Sequence, residues 1–227
     1  MKSTRKDKNK QPWPTIKVMR QIYDLHLWGG TSYDFYSGEG SHHPNLVDPY
    51  LETIRSFLTS FKTPLTVCDL GCGDFNIGKA LVPFTSYYFA IDIVPELIER
   101  NNRLFKNTKL EFLCLDVAED DLPIADCVIV RQVLQHLSNA EIEKIAQKLS
   151  KFKYILITEH LPTTDFVPNK DIVSGQGNRM KKRSGVDLLA PPFDFQVKKT
   201  RELLSINLPT SKKHQAGKIV TTLFQKF

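Results

Sequence analysis

Long apolar segments and a secretion leader are both missing from this chain of 227 residues. No hydrophobic run approaches the roughly 20 residues that a membrane-spanning helix needs. Residues 1–10 are polar and basic, and they lack the apolar stretch of a signal peptide. Without either feature, we expect a cytoplasmic protein that has no membrane span.

Cysteine is scarce, and its positions argue against disulfide or metal chemistry. The 4 cysteines are Cys68, Cys72, Cys114 and Cys127, and all of them fall in predicted strands or in a glycine-rich loop. We expect them to be small buried apolar side chains in a reducing compartment. The first two are spaced C-x3-C, but no third cysteine lies nearby to complete a zinc site. We therefore assign no metal.

The excess of positive charge is small once the N-terminal segment is set aside. Residues 1–10 hold five basic residues and one acidic residue, a net +4, which leaves +2 of the total of +6 for residues 11–227. A nearly neutral body lacks the electrostatic footprint of a nucleic-acid-binding protein, so nucleic acid is disfavoured as a partner. We expect a disordered basic tail at residues 1–12 and a single domain over residues 13–227.

The most informative stretch is a strand followed by a glycine loop. A β-branched apolar run at residues 65–70 predicts a buried strand, and Gly71 and Gly73 follow it. Residues 76–81 then look like the start of a helix. This arrangement turns backbone N–H groups and a helix N-terminus toward a ligand. A dinucleotide fingerprint needs a third glycine where this chain has Asn76, which weakens a nicotinamide interpretation.

Three acidic residues each close a predicted strand. They are Asp69, Asp92 and Asp116, and Asp92 lies 19 residues after Gly73. A carboxylate at the tip of the second strand is well placed to accept both hydroxyls of a ribose. Alternating strand and helix patterns continue to residue 159. They predict an α/β, Rossmann-like doubly wound sheet of about seven strands, mostly parallel, that ends in a C-terminal antiparallel hairpin.

Two segments do not follow the strand–helix alternation. Residues 13–62 form a predicted helical and aromatic cap, with helices at 15–27 and 46–62. Between these helices, aromatic and glycine-rich residues either cover a bound cofactor or pack on the core. The pair His42 and His43 fits a surface or helix-capping role better than a metal site.

Residues 160–200 show no periodicity and are predicted to be a long insertion and a candidate lid. The insertion carries four cations, Arg179, Lys181, Lys182 and Arg183. One hypothesis is that they meet an anionic acceptor, and the other is that they are a solvated charge run.

The motifs together resemble a known family. The pattern D-x-G-x-G-D-F within Val67–Phe75 resembles motif I of class I S-adenosylmethionine (SAM)-dependent methyltransferases. A bacterial group of these enzymes is similar over further motifs. These are W-G-G at 28–30, S-G-x-G-S at 37–41, C-G-D-F at 72–75, R-x-x-L-x-H-L at 131–137, N-x-D-I-x-x-G at 169–175 and P-P-F at 191–193.

The resemblance implies SAM as the cofactor and assigns residues to it. The main chain of Gly71, Cys72 and Gly73, with the Asp69 carboxylate, would hold the methionine end. The remaining residues are Asp92 for the ribose, Ile93, Asp116 and Val117 for the adenine, and Arg131 at the end of the fourth strand.

Methyl transfer from a sulfonium is an in-line displacement, so a base is needed only to take a proton from the acceptor. His136 is the first candidate for this base, and Glu159 and His160 follow. The alternative for His136 is a buried ring bonded to a backbone carbonyl.

The predicted activity is transfer to a small-molecule or glycan-like acceptor. An RNA or protein methyltransferase and a non-catalytic SAM-binding module remain open. The sequence does not indicate an oligomeric state.

Overall fold

The computed structural model of the protein describes residues 12–209 and 216–226. Seven strands form one sheet in the order β3-β2-β1-β4-β5-β7-β6, and β7 runs antiparallel to both of its neighbours. The strands are β1 (Thr66–Leu70), β2 (Tyr87–Asp92), β3 (Leu110–Cys114), β4 (Cys127–Arg131), β5 (Tyr154–Pro162), β6 (Lys199–Leu208) and β7 (Gly217–Gln225). The predicted doubly wound sheet with its C-terminal antiparallel hairpin is confirmed. The predicted tail lies outside the described residues except at residue 12.

Four α-helices accompany the sheet. They are α1 (Thr15–Asp24), α2 (Pro44–Thr59), α3 (Pro95–Leu104) and α4 (Asn139–Leu149). The helix predicted from residue 76 is wrong, because two short 3-10 helices, Gly78–Ala80 and Val82–Phe84, stand in its place. Glycine is a poor helix former and proline lacks the backbone N–H, so Gly78 and Pro83 both oppose a continuous α-helix there. In the part of the chain that the structure describes, no helix is long and apolar enough to cross a membrane.

The core lies on both faces of the sheet. The side chains of α1 and α4 cover one face, and Ile22 and Ile142 are 2% and 0% exposed there. The apolar stripe of α2 covers the other face, where Ile54 is fully buried. Strand β4 is apolar and buried along most of its length, as a central parallel strand must be when both faces are covered.

Parallel pairing of β1 to β5 brings their carboxyl ends to one edge of the sheet. Strand β1 lies between β2 and β4, with Leu70 opposite both Ile91 and Val130. The loops that follow β1, β2, β3, β4 and β5 therefore meet at this edge, which we call the carboxyl edge. In open α/β sheets, ligands bind in the crevice beyond this edge.

The insertion between β5 and β6 is tied down by its own hydrogen bonds. The Asn169 side-chain nitrogen donates to the carbonyl oxygens of Asp187 at 2.7 Å and Pro191 at 2.9 Å, and its oxygen accepts from Asp187 N at 2.9 Å. Arg179 is 1% exposed, so the four cations of this segment do not form one surface. The hypothesis that all four face an anionic acceptor therefore fails at Arg179.

The N-terminus of α4 is capped by Ser138. The Ser138 side chain accepts from Glu141 N at 3.4 Å, and the Glu141 carboxylate accepts from Ser138 N at 3.1 Å, which completes a capping box. We expect Ser138→Ala to lower the free energy of unfolding by about 1 kcal/mol in urea titrations. Ser56→Ala, on an exposed position inside α2, is the control and should cost nothing, since alanine favours helix. Equal losses of unfolding free energy in the two variants would contradict the capping role of Ser138.

Candidate functional site

The glycine loop after β1 depends on two left-handed backbone positions. Gly71 and Gly73 have φ of +74° and +56°. A Cβ at Gly71 would lie 2.4 Å from a Val133 methyl carbon, and one at Gly73 would lie 2.3 Å from Ser37 Oγ. Only glycine fits this backbone and these close approaches. The loop is therefore held close to the turn after β4 on one side and to the N-terminal region on the other.

Asp92 joins the glycine loop to the end of β2. Its carboxylate accepts from Gly73 N and from Val94 N, both at 3.1 Å. Burial raises the pKa of Asp92 to about 6, although the bonds from these backbone N–H groups oppose the rise. A carboxylate offers about four acceptor positions, so two backbone donors leave capacity for ribose hydroxyls.

The residues predicted for adenine lie beside Asp92. Leu115 N donates to Asp92 O at 3.1 Å, which brings the end of β3 next to the end of β2. Asp116 is fixed in its turn, because its side chain accepts from Ala118 N at 2.9 Å. Ile93 and Val117 are partly buried against the core.

Asp69 and Arg131 line the same small cavity beneath the glycine loop, together with Gly71 and Cys72. The Asp69 carboxylate accepts from the Tyr88 hydroxyl at 2.9 Å. Burial raises the pKa of Asp69 to about 7, and the Tyr88 bond and the Arg131 charge act in the opposite direction. A buried acid and a half-buried base thus lie next to the backbone predicted to hold the methionine end of SAM.

Arg131 also binds the N-terminal region. Its guanidinium donates to Ser41 Oγ at 3.2 Å and to the carbonyl oxygen of Gly40, and it lies 4.6 Å from the centre of the Tyr50 ring. Its Nε is buried without a hydrogen-bond partner among the described residues. One donor of this side chain is therefore unused at the cavity.

The segment at residues 28–43 is part of the predicted N-terminal cap, and from here on the name cap refers to this segment alone. Asp74 ties it to the glycine loop. One Asp74 oxygen accepts from Ser37 N at 2.9 Å and pairs with His42 Nε2 at 2.6 Å, while Asp74 N donates to Ser37 Oγ at 2.8 Å. Burial opposes ionisation, but the His42 bond and the Ser37 N–H hold the pKa of Asp74 below its usual value. The second predicted histidine, His43, caps α2 by accepting from Asn45 N at 3.2 Å.

A second ion pair holds the cap over α3. The Arg100 guanidinium donates from Nε and Nη2 to the two carboxylate oxygens of Asp34 at 2.9 and 3.0 Å. Its Nη1 donates to Asp74 O at 3.1 Å. Arg100 thus contacts the cap and the glycine loop at once. The sequence did not indicate that Asp74 and Arg100 hold the cap. For Asp74 the C-G-D-F pattern was a signal, and Arg100 had none.

The aromatic side chains of the cap contact both the core and the predicted base. Tyr23, on α1, packs edge-on against Trp28 and Phe35 with ring centres 5.5 and 5.4 Å apart. The Trp28 ring in turn lies 5.1 Å from the His136 ring. These aromatic side chains pack on the core and on the His136 ring, and a role in covering the cofactor stays a prediction.

His136 lies in the turn after β4 with both ring nitrogens engaged. Nδ1 lies 3.0 Å from Gly177 O, and Nε2 lies 3.1 Å from the Gln135 side-chain nitrogen. A carbonyl can only accept and an amide nitrogen can only donate, so this pattern assigns the proton to Nδ1 and the lone pair to Nε2. Burial lowers the pKa of His136, and the Arg179 charge adds to this effect. The ring is therefore neutral at pH 7.

Glu159 was expected to face the crevice. Its side chain instead lies beneath the same turn. Its two oxygens accept from Leu134 N at 3.1 Å and Gln135 N at 3.0 Å, and the side chain is 3% exposed. Burial raises the pKa of Glu159 to about 8, while the two backbone bonds lower it. His160, the third candidate, uses its backbone N–H to donate to the Gln135 side chain at 3.3 Å. The Glu159 carboxylate is thus bonded to backbone groups of the turn, whereas the His160 bond involves its backbone and leaves the role of its ring a prediction.

A known domain family matches the centre of this site. Residues 67–152 match the family model described as a methyltransferase domain. A phosphoethanolamine N-methyltransferase of Triticum aestivum is 29% identical over 106 residues, which are 44% of this chain. The matched region covers 20% of that relative, so the chain spans about a fifth of the curated relative that it matches.

Solved structures share the fold over nearly the whole chain. The N-methyltransferase NodS of Bradyrhizobium japonicum WM9, in complex with S-adenosyl-L-homocysteine, has a TM-score of 0.65 at 12% identity and covers 93% of this chain and 98% of its own. Human N-acetylserotonin methyltransferase with SAM has a TM-score of 0.56 at 18% identity, covering 94% of this chain and 60% of its own. Magnesium protoporphyrin IX methyltransferase of Synechocystis PCC 6803, with SAM bound, has a TM-score of 0.56 at 14% identity, covering 96% and 100%.

The solved structures show that this chain has the fold of these methyltransferases, and residues 67–152 match the model of a methyltransferase domain. Each of these three solved structures holds SAM or S-adenosyl-L-homocysteine. Across residues 12–209 and 216–226, no three side chains of the kinds that bind metals form a group able to hold an ion.

The role of Asp74 in holding the cap can be measured. We expect Asp74→Ala to release the Ser37 amide, so that its hydrogen-exchange protection falls roughly 10-fold or more, since bonds to charged groups contribute about 1.5–3 kcal/mol. Asp24→Ala, at the exposed end of α1, is the matched control and should leave the amides of the cap protected. Unchanged exchange at Ser37 in Asp74→Ala would show that the aromatic contacts alone hold the cap.

Proposed function

We propose that this chain transfers the methyl group of SAM to a small-molecule or glycan-like acceptor. The observation that carries the proposal is the junction of Gly73 and Asp92, where a left-handed glycine loop meets a buried carboxylate at the tip of the next strand. This junction lies within the part of the chain that matches a methyltransferase domain. It offers backbone N–H groups and a ribose acceptor side by side.

The cofactor assignments follow the order of the loops along the carboxyl edge. The backbone of Gly71, Cys72 and Gly73 and the Asp69 carboxylate would hold the methionine end, and Asp92 would accept the ribose hydroxyls. Asp116 would contact the adenine edge between the apolar side chains of Ile93 and Val117. We also place Arg131 at the methionine end, because its unused Nε donor and Asp69 line one cavity, which suits a zwitterion.

The reaction needs little chemistry from the protein. SAM supplies an activated methyl group, so the chain acts mainly by holding the acceptor in line and excluding water. His136 would take the proton of the acceptor, because its ring is neutral and its Nε2 carries the lone pair, which the acceptor would reach by displacing the Gln135 side-chain amide that donates to it. The Trp28 ring packed against His136 limits access of water to that side.

An amine is the acceptor group that we favour. The wheat relative and the rhizobial structure are both named as N-methyltransferases, although their similarity to this chain is low. A neutral imidazole can remove the proton of an ammonium group before transfer. We place hydroxyl acceptors second.

The direct test is a screen with isotopically labelled SAM against small amines, amino sugars and matched alcohols. Label recovered in a small amine would support the proposal. Label recovered only in RNA or protein would replace it with a macromolecular methyltransferase. SAM binding without any transfer would indicate a non-catalytic binding module.

The ribose assignment predicts a loss of affinity in one variant. We expect Asp92→Asn to weaken SAM binding roughly 10-fold or more in isothermal titration calorimetry, because charge-assisted bonds to the hydroxyls are lost. Asp126→Asn is the matched control, since Asp126 binds Thr66 at the opposite end of the strands. It should bind SAM as the wild type does. Equal affinity in all three proteins would remove Asp92 from the cofactor site.

The base assignment predicts a pH profile. As pH rises, the imidazole loses its proton and becomes able to accept one, so kcat should increase to a plateau. Because the pKa of His136 is lowered from the ordinary 6.5, the midpoint should lie below that value. His136→Asn should reduce kcat about 100-fold and abolish this limb. His43→Asn, which can still cap α2, should keep the wild-type profile. If kcat of His136→Asn still rises with pH as in the wild type, another group is the base.

A further inference from the structure

The turn that carries His136 is held between a buried acidic side chain and a buried basic side chain. It covers residues 134–137, is separated from the end of β4 by two residues, and includes the short 3-10 helix Leu134–His136. Such a short helix satisfies few of its own backbone groups, through bonds such as Leu137 N to Leu134 O at 3.1 Å, so the others need partners elsewhere, because buried unpaired groups are costly. On one side, Glu159 at the carboxyl end of β5 takes the N–H groups of Leu134 and Gln135.

On the other side, Arg179 takes the carbonyl groups of the same turn. Its Nη1 donates to Leu134 O at 3.1 Å and Gln135 O at 3.3 Å, and its Nη2 donates to Leu137 O at 2.8 Å. Nη2 also donates to Asn139 Oδ1 at 2.8 Å, at the start of α4. The fifth donor, Nε, reaches Lys170 O at 3.0 Å. All five bonds are made by a side chain that is 1% exposed.

Lysine cannot reproduce this arrangement. A guanidinium presents five N–H donors in a rigid plane, whereas an ammonium presents three around one point. Two remote side chains thus satisfy five backbone groups of one four-residue turn. Burying an acidic and a basic side chain is seldom worth the desolvation for stability alone, so a specific placement is the better explanation.

The stretch that supplies Arg179 also fixes the His136 ring. Gly177 O accepts from His136 Nδ1 at 3.0 Å, and Gly175 N donates to His136 O at 2.9 Å. Arg179 follows these residues directly, so its five bonds determine where Gly177 O lies. The carbonyl that sets the tautomer of His136 is therefore placed by the same clamp that holds the turn.

We propose that Glu159 and Arg179 are positioning residues for methyl transfer, which hold the turn after β4 so that His136 Nε2 stays unprotonated and in place for the acceptor. This inference rests on the proposed function and deepens it. It gives the insertion between β5 and β6 a role as the outer support of the base, and it gives Glu159 a role distinct from proton transfer.

The test compares Arg179→Lys and Glu159→Gln with Lys181→Gln. Lys181 is exposed, lies in the same segment and makes no contact with the turn, so its variant controls for local charge. We expect the first two variants to lose about 10- to 100-fold in kcat, because small misplacements of a reacting group are costly. Their SAM affinity should stay within about threefold of the wild type in calorimetry, since neither residue faces the glycine loop.

A spectroscopic readout separates positioning from simple stability. In ¹⁵N-edited NMR of the histidine side chains, the Nδ1–H signal of His136 should shift or broaden in Arg179→Lys and Glu159→Gln and stay unchanged in Lys181→Gln. Folding is checked by circular dichroism and thermal melting. If Arg179→Lys does not fold, Glu159→Gln decides the question, because its amide oxygen can still accept one of the two backbone bonds.

Folded variants with wild-type kcat and an unaltered His136 signal would overturn the proposal. So would a loss of SAM affinity as large as the loss of kcat. The histidine spectrum needs no acceptor, so it judges the clamp even if no compound in the screen is methylated. If the wild-type chain binds no SAM, the proposed function is wrong. The histidine spectra would then still show whether Glu159 and Arg179 hold His136.

Discussion

The hydrogen bond from Gly73 N to the Asp92 carboxylate is the contact on which the site depends. It joins the loop after β1 to the tip of β2, and it exists only because Gly73 adopts a left-handed backbone that other residues rarely accept. Asn101 on α3 completes the junction by donating to Gly73 O at 2.8 Å. With this geometry fixed, the ends of β3 and β4 fall on either side of one crevice. The acid thus serves the fold and the proposed ribose contact with the same oxygens.

Around this junction, the cap and the site stabilise each other through buried charges. Asp74 and Arg131 lie at the carboxyl edge, and both are satisfied in large part by backbone groups of the cap, at Ser37 and Gly40. Removing the cap would leave an acid and a base unpaired in a poorly hydrated place, which is costly. The cap is therefore an integral part of the site. The polar groups that hold it also lie closest to the proposed methionine end of the cofactor.

The sequence was sufficient for the sheet and insufficient for the side-chain pairings. Apolar runs such as β4, and acids at strand ends such as Asp92, are local signals with a fixed meaning in parallel sheets, so the mostly parallel sheet and its C-terminal antiparallel hairpin could be predicted. Arg179 gave no such signal. It stands in a run with Lys181 and Lys182, and only the folded chain shows that it turns inward while they stay exposed. The helix predicted after Asn76 failed because Gly78 and Pro83 opposed it more strongly than the apolar pattern favoured it.

The distribution of perturbed acids supports one site at the carboxyl edge. Asp69, Asp92 and Glu159 stand at or near the carboxyl ends of β1, β2 and β5, and burial raises the pKa of each to about 7, 6 and 8. A fold selected for stability alone would place such groups in water, where ionisation costs nothing. Three costly acids toward the carboxyl ends of parallel strands in one sheet indicate a shared purpose. The two acids beside the glycine loop fit cofactor binding, and Glu159, bonded to backbone alone, fits the placement of a neighbouring base.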